Sequence, residues 1–210
     1  LSSADVRDDL HNQLGSMSIP STIGTGVLDS LVHIIPAAQR NNANRRYYEL
    51  YSRVLKNCHD IQGMPMIVKD GKVVEALTAK ILWNIYSKRK ARLDEKYSEN
   101  IDVIFTNYCV NFWLGNWYTN SKNTLLHMRN LLTRKAVISF LFYNHPEINN
   151  LLEEECSEAG KDTLNKVAVE VFYVFSRSVD HSNVLLEMLE VNMDKKGMTQ
   201  LASLMPLIDF

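Results

Sequence analysis

Catalysis needs side chains that converge, and this sequence offers few groups whose type and spacing promise that. Cys58 and His59 form the only adjacent Cys/His pair. A zinc site built on them would need two more ligands from afar, so a buried thiol beside an ordinary histidine is the simpler reading. His11, His33, His59, His127, His145 and His181 are scattered without metal-ligand spacing. Glu153, Glu154 and Glu155 adjoin, but neighbours on a helix point in different directions, which favours a solvated face over a carboxylate pair. No Gly-rich phosphate loop, GxSxG, HExxH or EF-hand loop is present. The expectation is a non-enzyme, without metal or cofactor, that acts by binding.

Binding chemistry is better represented. Three basic clusters, RRYYELYSR, SKRKAR and HMRNLLTRK, crowd the middle of the chain. Single-stranded nucleic acid is held by positive charge along its backbone and by aromatic faces against its bases. Tyr47, Tyr48, Trp117 and Tyr118 are the candidates for stacking. Each cluster alone also reads as a solvated helix face, and each aromatic as core. The charge distribution adds weight: residues 40–135 carry a surplus of nine positive charges and residues 136–210 a deficit of seven, within a net charge of −1. Such asymmetry suits a polyanionic partner or head-to-tail self-association, unless folding mixes the two regions.

These groups need elements to position them. ANRRYYELYSRVLKNC places Tyr47, Leu50, Tyr51, Val54 and Leu55 on one helical stripe. GVLDSLVHIIP is a shorter stripe stopped by Pro36. PMIVKDGKVVEA, with Asp70-Gly71 between β-branched runs, predicts a small hairpin near 64–75. Helical periodicity resumes from Glu75 into SKRKAR, and Ser98 opens a further helix through Trp113. Ser121 or Asn123 caps the next, which runs towards Pro146. Three more helices follow, with breaks near Gly160, Asp180 and Gly197. KVAVEVFYVF fits both a strand and a buried helix face. The fold expected is mostly α: an irregular helical bundle with one small β-hairpin and an extended N-terminal arm. Residues 1–25 form the arm, 26–145 the helical core, and 146–210 an acidic helical subregion of the same domain.

Composition bounds the rest. At 210 residues, with 46% apolar and 22% charged, the chain suits one globular domain burying roughly 70% of its unfolded surface. Cys58, Cys109 and Cys156 are widely spaced and odd in number, which favours a reducing, intracellular setting over secretion. No apolar run approaches the roughly 20 residues that cross a bilayer.

Residues 27–143 resemble the core of coat proteins from flexuous filamentous plant viruses of the potyvirus kind. The resemblance rests on YYELYSRV, on MIVKDGKVVEAL around Asp70-Gly71, on IFTNYC leading to WYTN, and on MRNLLTRKAVISFLFY, all in the family's order. It implies a helical protein that polymerises around genomic RNA, with an N-terminal arm docked on a neighbouring subunit. By position, Arg129 matches the arginine of the family's RNA pocket and Cys109 falls where its serine would be. Leu141 or Phe142 stands at the aspartate position, so the pocket's Arg–Asp pairing is missing.

The reading is then a coat or nucleoprotein that binds single-stranded RNA without sequence preference and self-associates, in a virion or the host cytoplasm. Arg129, Arg134 and Lys135 are expected along its groove, Arg45 and Arg46 at the rim, and Cys109 in the pocket. The alternative is a helical protein-interaction module that does not bind nucleic acid.

Overall fold

The structure, a computed structural model, describes residues 45–64, 68–69, 72–73, 77–116, 124–180 and 191. The expected arm, the GVLDSLVHIIP helix, Trp117, Tyr118 and the helices expected beyond Asp180 lie outside these residues. What is described is mostly helical.

Helix α1 (Arg45–Gln62) follows the apolar stripe read from sequence: Tyr47, Leu50, Tyr51, Val54 and Cys58 are buried. It ends where Gly63 takes φ +69°, a left-handed conformation that glycine adopts without strain. Gly63 N donates to the Asp60 carbonyl at 3.1 Å and Met64 N to that of His59 at 3.0 Å, so two of the helix's last carbonyls are satisfied. Strands β1 (Val68–Lys69) and β2 (Lys72–Val73) then pair antiparallel in the register Val68–Val73 and Lys69–Lys72. Two rungs make a local turn. The hairpin expected as an element of the fold over 64–75 is not supported, because so short a pairing lacks a sheet's independent stability.

Helix α2 (Ala79–Gly115) starts on Thr78, whose side chain accepts from Ile81 N at 3.3 Å. Two helices were expected here, and two helical segments meet at a kink at Tyr97 (φ −132°, ψ 21°), one residue before the Ser98 that was expected to open the second. Helix α3 (Thr124–Tyr143) is buried without interruption from Ala136 to Tyr143, which makes its second half the centre of the molecule. A short 3₁₀ turn (Pro146–Ile148) and helix α4 (Asn149–Glu153) follow.

Helix α5 (Glu158–Phe175) is capped by Ser157, whose hydroxyl accepts from Gly160 N at 3.1 Å. The break expected near Gly160 therefore falls before Ser157. Gly160 lies in the first turn of α5, against Tyr97. KVAVEVFYVF resolves as helix: Val167, Ala168, Val171, Val174 and Phe175 face inward while Val169 and Tyr173 face out. A π-helical turn (Ser176–Asp180) ends the described run.

One apolar core joins α1, α2, α3, α4 and α5, so the helices on both sides of residue 145 share it. Aromatic rings fill much of it. Phe105 stacks on Tyr143 at 6.2 Å and meets Phe142 and Phe172 edge-on, and Tyr86 meets Tyr143 edge-on at 5.7 Å. Tyr47, offered above for base stacking, is 3% exposed and lies between Tyr51 and Phe175.

Candidate functional site

The sequence concentrates base in its middle and acid towards its end, and folding brings the two together. Arg53 of α1 is ion-paired with Glu170 of α5. Arg92 of α2 grips Glu153 of α4 with two nitrogens, at 3.0 and 3.2 Å. Within α2, Lys90 pairs with Asp94 at 2.6 Å. SKRKAR is thus largely a set of internal fastenings, and the charge asymmetry along the chain does not become a basic face there.

Two cations of α2 have a more specific task. The last carbonyls of a helix have no intrahelical partner and carry partial negative charge. Arg89, 5% exposed, donates from Nε to the Tyr143 carbonyl at 2.6 Å and from Nη2 to the His145 carbonyl at 3.1 Å, closing the end of α3. Burial draws its guanidinium down to about 10, although the thiol of Cys58 beside it acts the other way. Seven residues on, Lys96 donates to the carbonyls of Leu151, Leu152 and Glu154 at 3.2, 2.8 and 2.6 Å, closing the end of α4.

Around the α3–α4 corner lies a buried polar cluster. Asn57 Nδ2 donates to the Asn144 carbonyl at 3.0 Å and to Asn149 Oδ1 at 3.1 Å, and Asn149 Nδ2 donates back to Asn57 Oδ1 at 2.8 Å. His145 is fully buried, and its Nδ1 accepts from Glu147 N at 3.3 Å. In the neutral ring Nε2 then carries the proton, and it faces Glu170 Oε2 at 3.4 Å, outside aligned hydrogen-bond geometry. Burial lowers the His145 pKa. Glu170 opposes that shift and Arg53 reinforces it. Tyr143 Oη donates to Asp94 Oδ1 at 2.7 Å, and burial raises the phenol's pKa, helped by that bond. Burial likewise pushes the Cys58 thiol up to about 12, which makes it inert, while His59 Nδ1 sits 3.2 Å from the Met64 carbonyl. Among the described residues, no group of three or more His, Cys, Asp or Glu side chains is placed to hold a metal ion. No helix among them is long and apolar enough to cross a membrane.

The residues proposed for an RNA groove are dispersed over three helices. Arg45 is exposed and bonded to Glu49 at 2.9 Å, one turn on. Arg46 donates to Tyr173 Oη at 3.4 Å, on α5. Arg134 lies over the Phe112 ring at 5.1 Å and donates to the Asn130 carbonyl at 3.2 Å. Arg129 is half-buried on the same helix, α3. Cys109 is half-buried on α2 near Lys135 of α3: burial raises its thiol pKa, and the Lys135 charge lowers it. The α2–α3 seam therefore gathers Cys109, Arg134 and Lys135, whereas Arg45 and Arg46 belong to the first turn of α1.

Sequence reasoning missed the capping roles of Arg89 and Lys96 and the His145–Glu170–Arg53 row. Asn144-His145-Pro146 marked a helix end, but nothing local showed which distant cation would close it.

No curated protein and no solved structure matches the chain. A family does: the FliB lysine N-methylase C-terminal domain matches residues 3–207. The match overturns the coat-protein resemblance, and with it the RNA partner, the self-assembly through an N-terminal arm, the virion and the non-enzyme expectation. Four short, loosely spaced motifs in a shared order can arise in unrelated helical proteins, whereas this match runs nearly the full length. The chain belongs to the FliB lysine N-methylase C-terminal domain family.

Proposed function

We propose that this chain is the helical C-terminal part of a protein lysine N-methylase that modifies flagellin inside a bacterial cell. Its part in the reaction is to hold the protein substrate. The observation that carries the reading is the family match over residues 3–207.

Methylating a lysine requires an electrophilic methyl group from a donor and a deprotonated amine. The polar cluster at the α3–α4 corner does not fit a donor. Arg89 and Lys96 are occupied by backbone carbonyls, Asn57 and Asn149 by each other, and Asp94 and Glu170 by cations of this chain. The cluster fastens helix ends, and no step of the transfer is assigned to it. A rigid helical body with its charges internally fastened suits presentation of a substrate, because ordered side chains lose little entropy when a partner binds.

Disrupting the gene that encodes the chain, followed by mass spectrometry of flagellin peptides, tests the proposal. Methylated lysines should disappear and should return on complementation. Flagellin that keeps its full methylation in the disrupted strain would refute it.

A further inference from the structure

The second half of α2 has an exposed face that no feature described so far uses. After the kink, Val103, Thr106, Asn107, Val110, Asn111 and Leu114 are all exposed and recur at the spacing of one helical face. Val103 is 60% exposed, Val110 48% and Leu114 69%. From Val103 to Asn116 the sequence contains no Asp, Glu, Lys or Arg. Surface helices ordinarily turn charged side chains to water, and this stretch turns aliphatic and amide groups instead. At the kink end the same side of the helix carries Glu99 and Asp102, both exposed. Lys161, ion-paired with Glu158 at 2.7 Å, is the nearby cation that feels Glu99.

We infer that this face of α2 docks a helical, lysine-bearing segment of the protein substrate, with its aliphatic ridge along Val103, Val110 and Leu114 and its lysine at the Glu99–Asp102 end. The inference rests on the methylase reading and specifies where the substrate sits. Three observations select this occupant. Carboxylates at one end complement a lysine ammonium. The uncharged remainder offers nothing to a polyanion. The extent is also right: Val103 to Leu114 covers about 17 Å of helix axis. A strip that long and one helix wide buries a few hundred Å², well under the roughly 800 Å² per partner of a stable complex, which suits a substrate that must leave. An amphipathic helix laid along such a surface is an established mode of recognition.

The experiment measures binding of labelled, unmethylated flagellin monomer to the full chain by fluorescence anisotropy, beside lysine methylation in cells carrying the same variants. Val110→Asp and Leu114→Asp should each weaken binding about tenfold or more by placing a charge in an apolar contact. Thr106→Lys, a second kind of change on the same face, should do the same. Glu99→Gln with Asp102→Asn should weaken it about threefold and flatten its salt dependence, because exposed charge pairs are weak and screened. Ile61→Asp, on the exposed last turn of α1, should leave binding unchanged, and thermal melts would show each variant folded.

If Val110→Asp, Leu114→Asp and Thr106→Lys all bind within about twofold of the parent, the α2 face is not the docking surface. Methylation that persists in those strains would leave the methylase reading standing. If the Glu99 and Asp102 changes alone have no effect, the orientation of the lysine is wrong. If the parent chain does not bind flagellin and disruption leaves its methylation intact, both readings fall.

Discussion

Arg89 gives the sharpest stability prediction. Arg89→Met keeps a long apolar stem in the space between α2 and α3 but removes both donors. The carbonyls of Tyr143 and His145, bonded at 2.6 and 3.1 Å, then lose a charged partner at a buried helix end. An orphaned buried polar group costs about 1–3 kcal/mol. The Tyr143 carbonyl is left in that state, whereas the His145 carbonyl keeps its bond from Ile148 N at 3.3 Å and loses a charged bond of about 1.5–3 kcal/mol; the gross loss is about 2–6 kcal/mol, and relief from burying a guanidinium returns part of it. The expected net loss is about 2–4 kcal/mol, a large share of the roughly 5–15 kcal/mol that holds a domain folded. For a chain of this size that lowers Tm by roughly 4–16 °C. Urea unfolding followed by far-ultraviolet circular dichroism measures it, with Arg89→Lys as an intermediate because one ammonium serves two divergent carbonyls poorly. A loss below about 0.5 kcal/mol in Arg89→Met would mean that water reaches these carbonyls, and the capping argument would be wrong.

Three further outcomes follow from the same geometry. His145 has a folded pKa below its unfolded value, so its contribution to stability is present above about 6.5 and lost as pH falls towards the folded value. The urea midpoint of the parent should drop between neutral pH and about pH 5, and His145→Gln should flatten that slope; an equal slope in the variant would exclude His145 as its source. Gly160→Ala would set a methyl group against the Tyr97 hydroxyl, with Cζ at 2.9 Å. A loss of about 1–3 kcal/mol from overpacking should outweigh alanine's better helix propensity, and Tyr97→Phe should recover part of it; a more stable Gly160→Ala protein would show that the ring moves freely. Lys96→Met should cost about 1–2 kcal/mol, whereas Arg92→Ala, whose pair with Glu153 is exposed, should cost under about 1 kcal/mol. Reversal of that order in urea titrations would contradict the assignment of Lys96 as a helix-end donor.

Local pattern carried the helices well and the site poorly. The Tyr47–Val54 stripe, the end of α3 before Pro146 and the restart near Ser98 were readable because periodicity and breakers act over a few residues. KVAVEVFYVF could not be settled alone, since its inward face depends on α1 and α3 packing against it. Asp70-Gly71 suggested more sheet than the two paired rungs provide, because a turn signal does not guarantee strands with a surface to cover. The basic clusters misled for a different reason. Arg53 and Glu170 lie 117 residues apart, and Arg92 and Glu153 lie 61 apart, so a count along the chain registers as separation what the fold uses as attraction. The coat-protein resemblance drew on two of these clusters, through YYELYSRV and MRNLLTRK. Arg89 looked like any surface arginine until the carbonyls it meets, 54 and 56 residues away, were in place.

Those separations also impose a schedule on synthesis. Arg89 and Lys96 leave the ribosome before the carbonyls they serve, and Lys96 waits up to 58 residues for the last of them. At about 5–20 residues per second, that interval lasts roughly 3–12 seconds. Throughout it Lys96 lacks these carbonyls, and α4, only five residues long, cannot persist before Lys96 receives it. The corner between α3 and α4 therefore closes later than the helix whose cations hold it, and α5, which shares the core, comes later still. A translational pause before residue 154 would prolong the interval in which this corner stands open to proteases and chaperones.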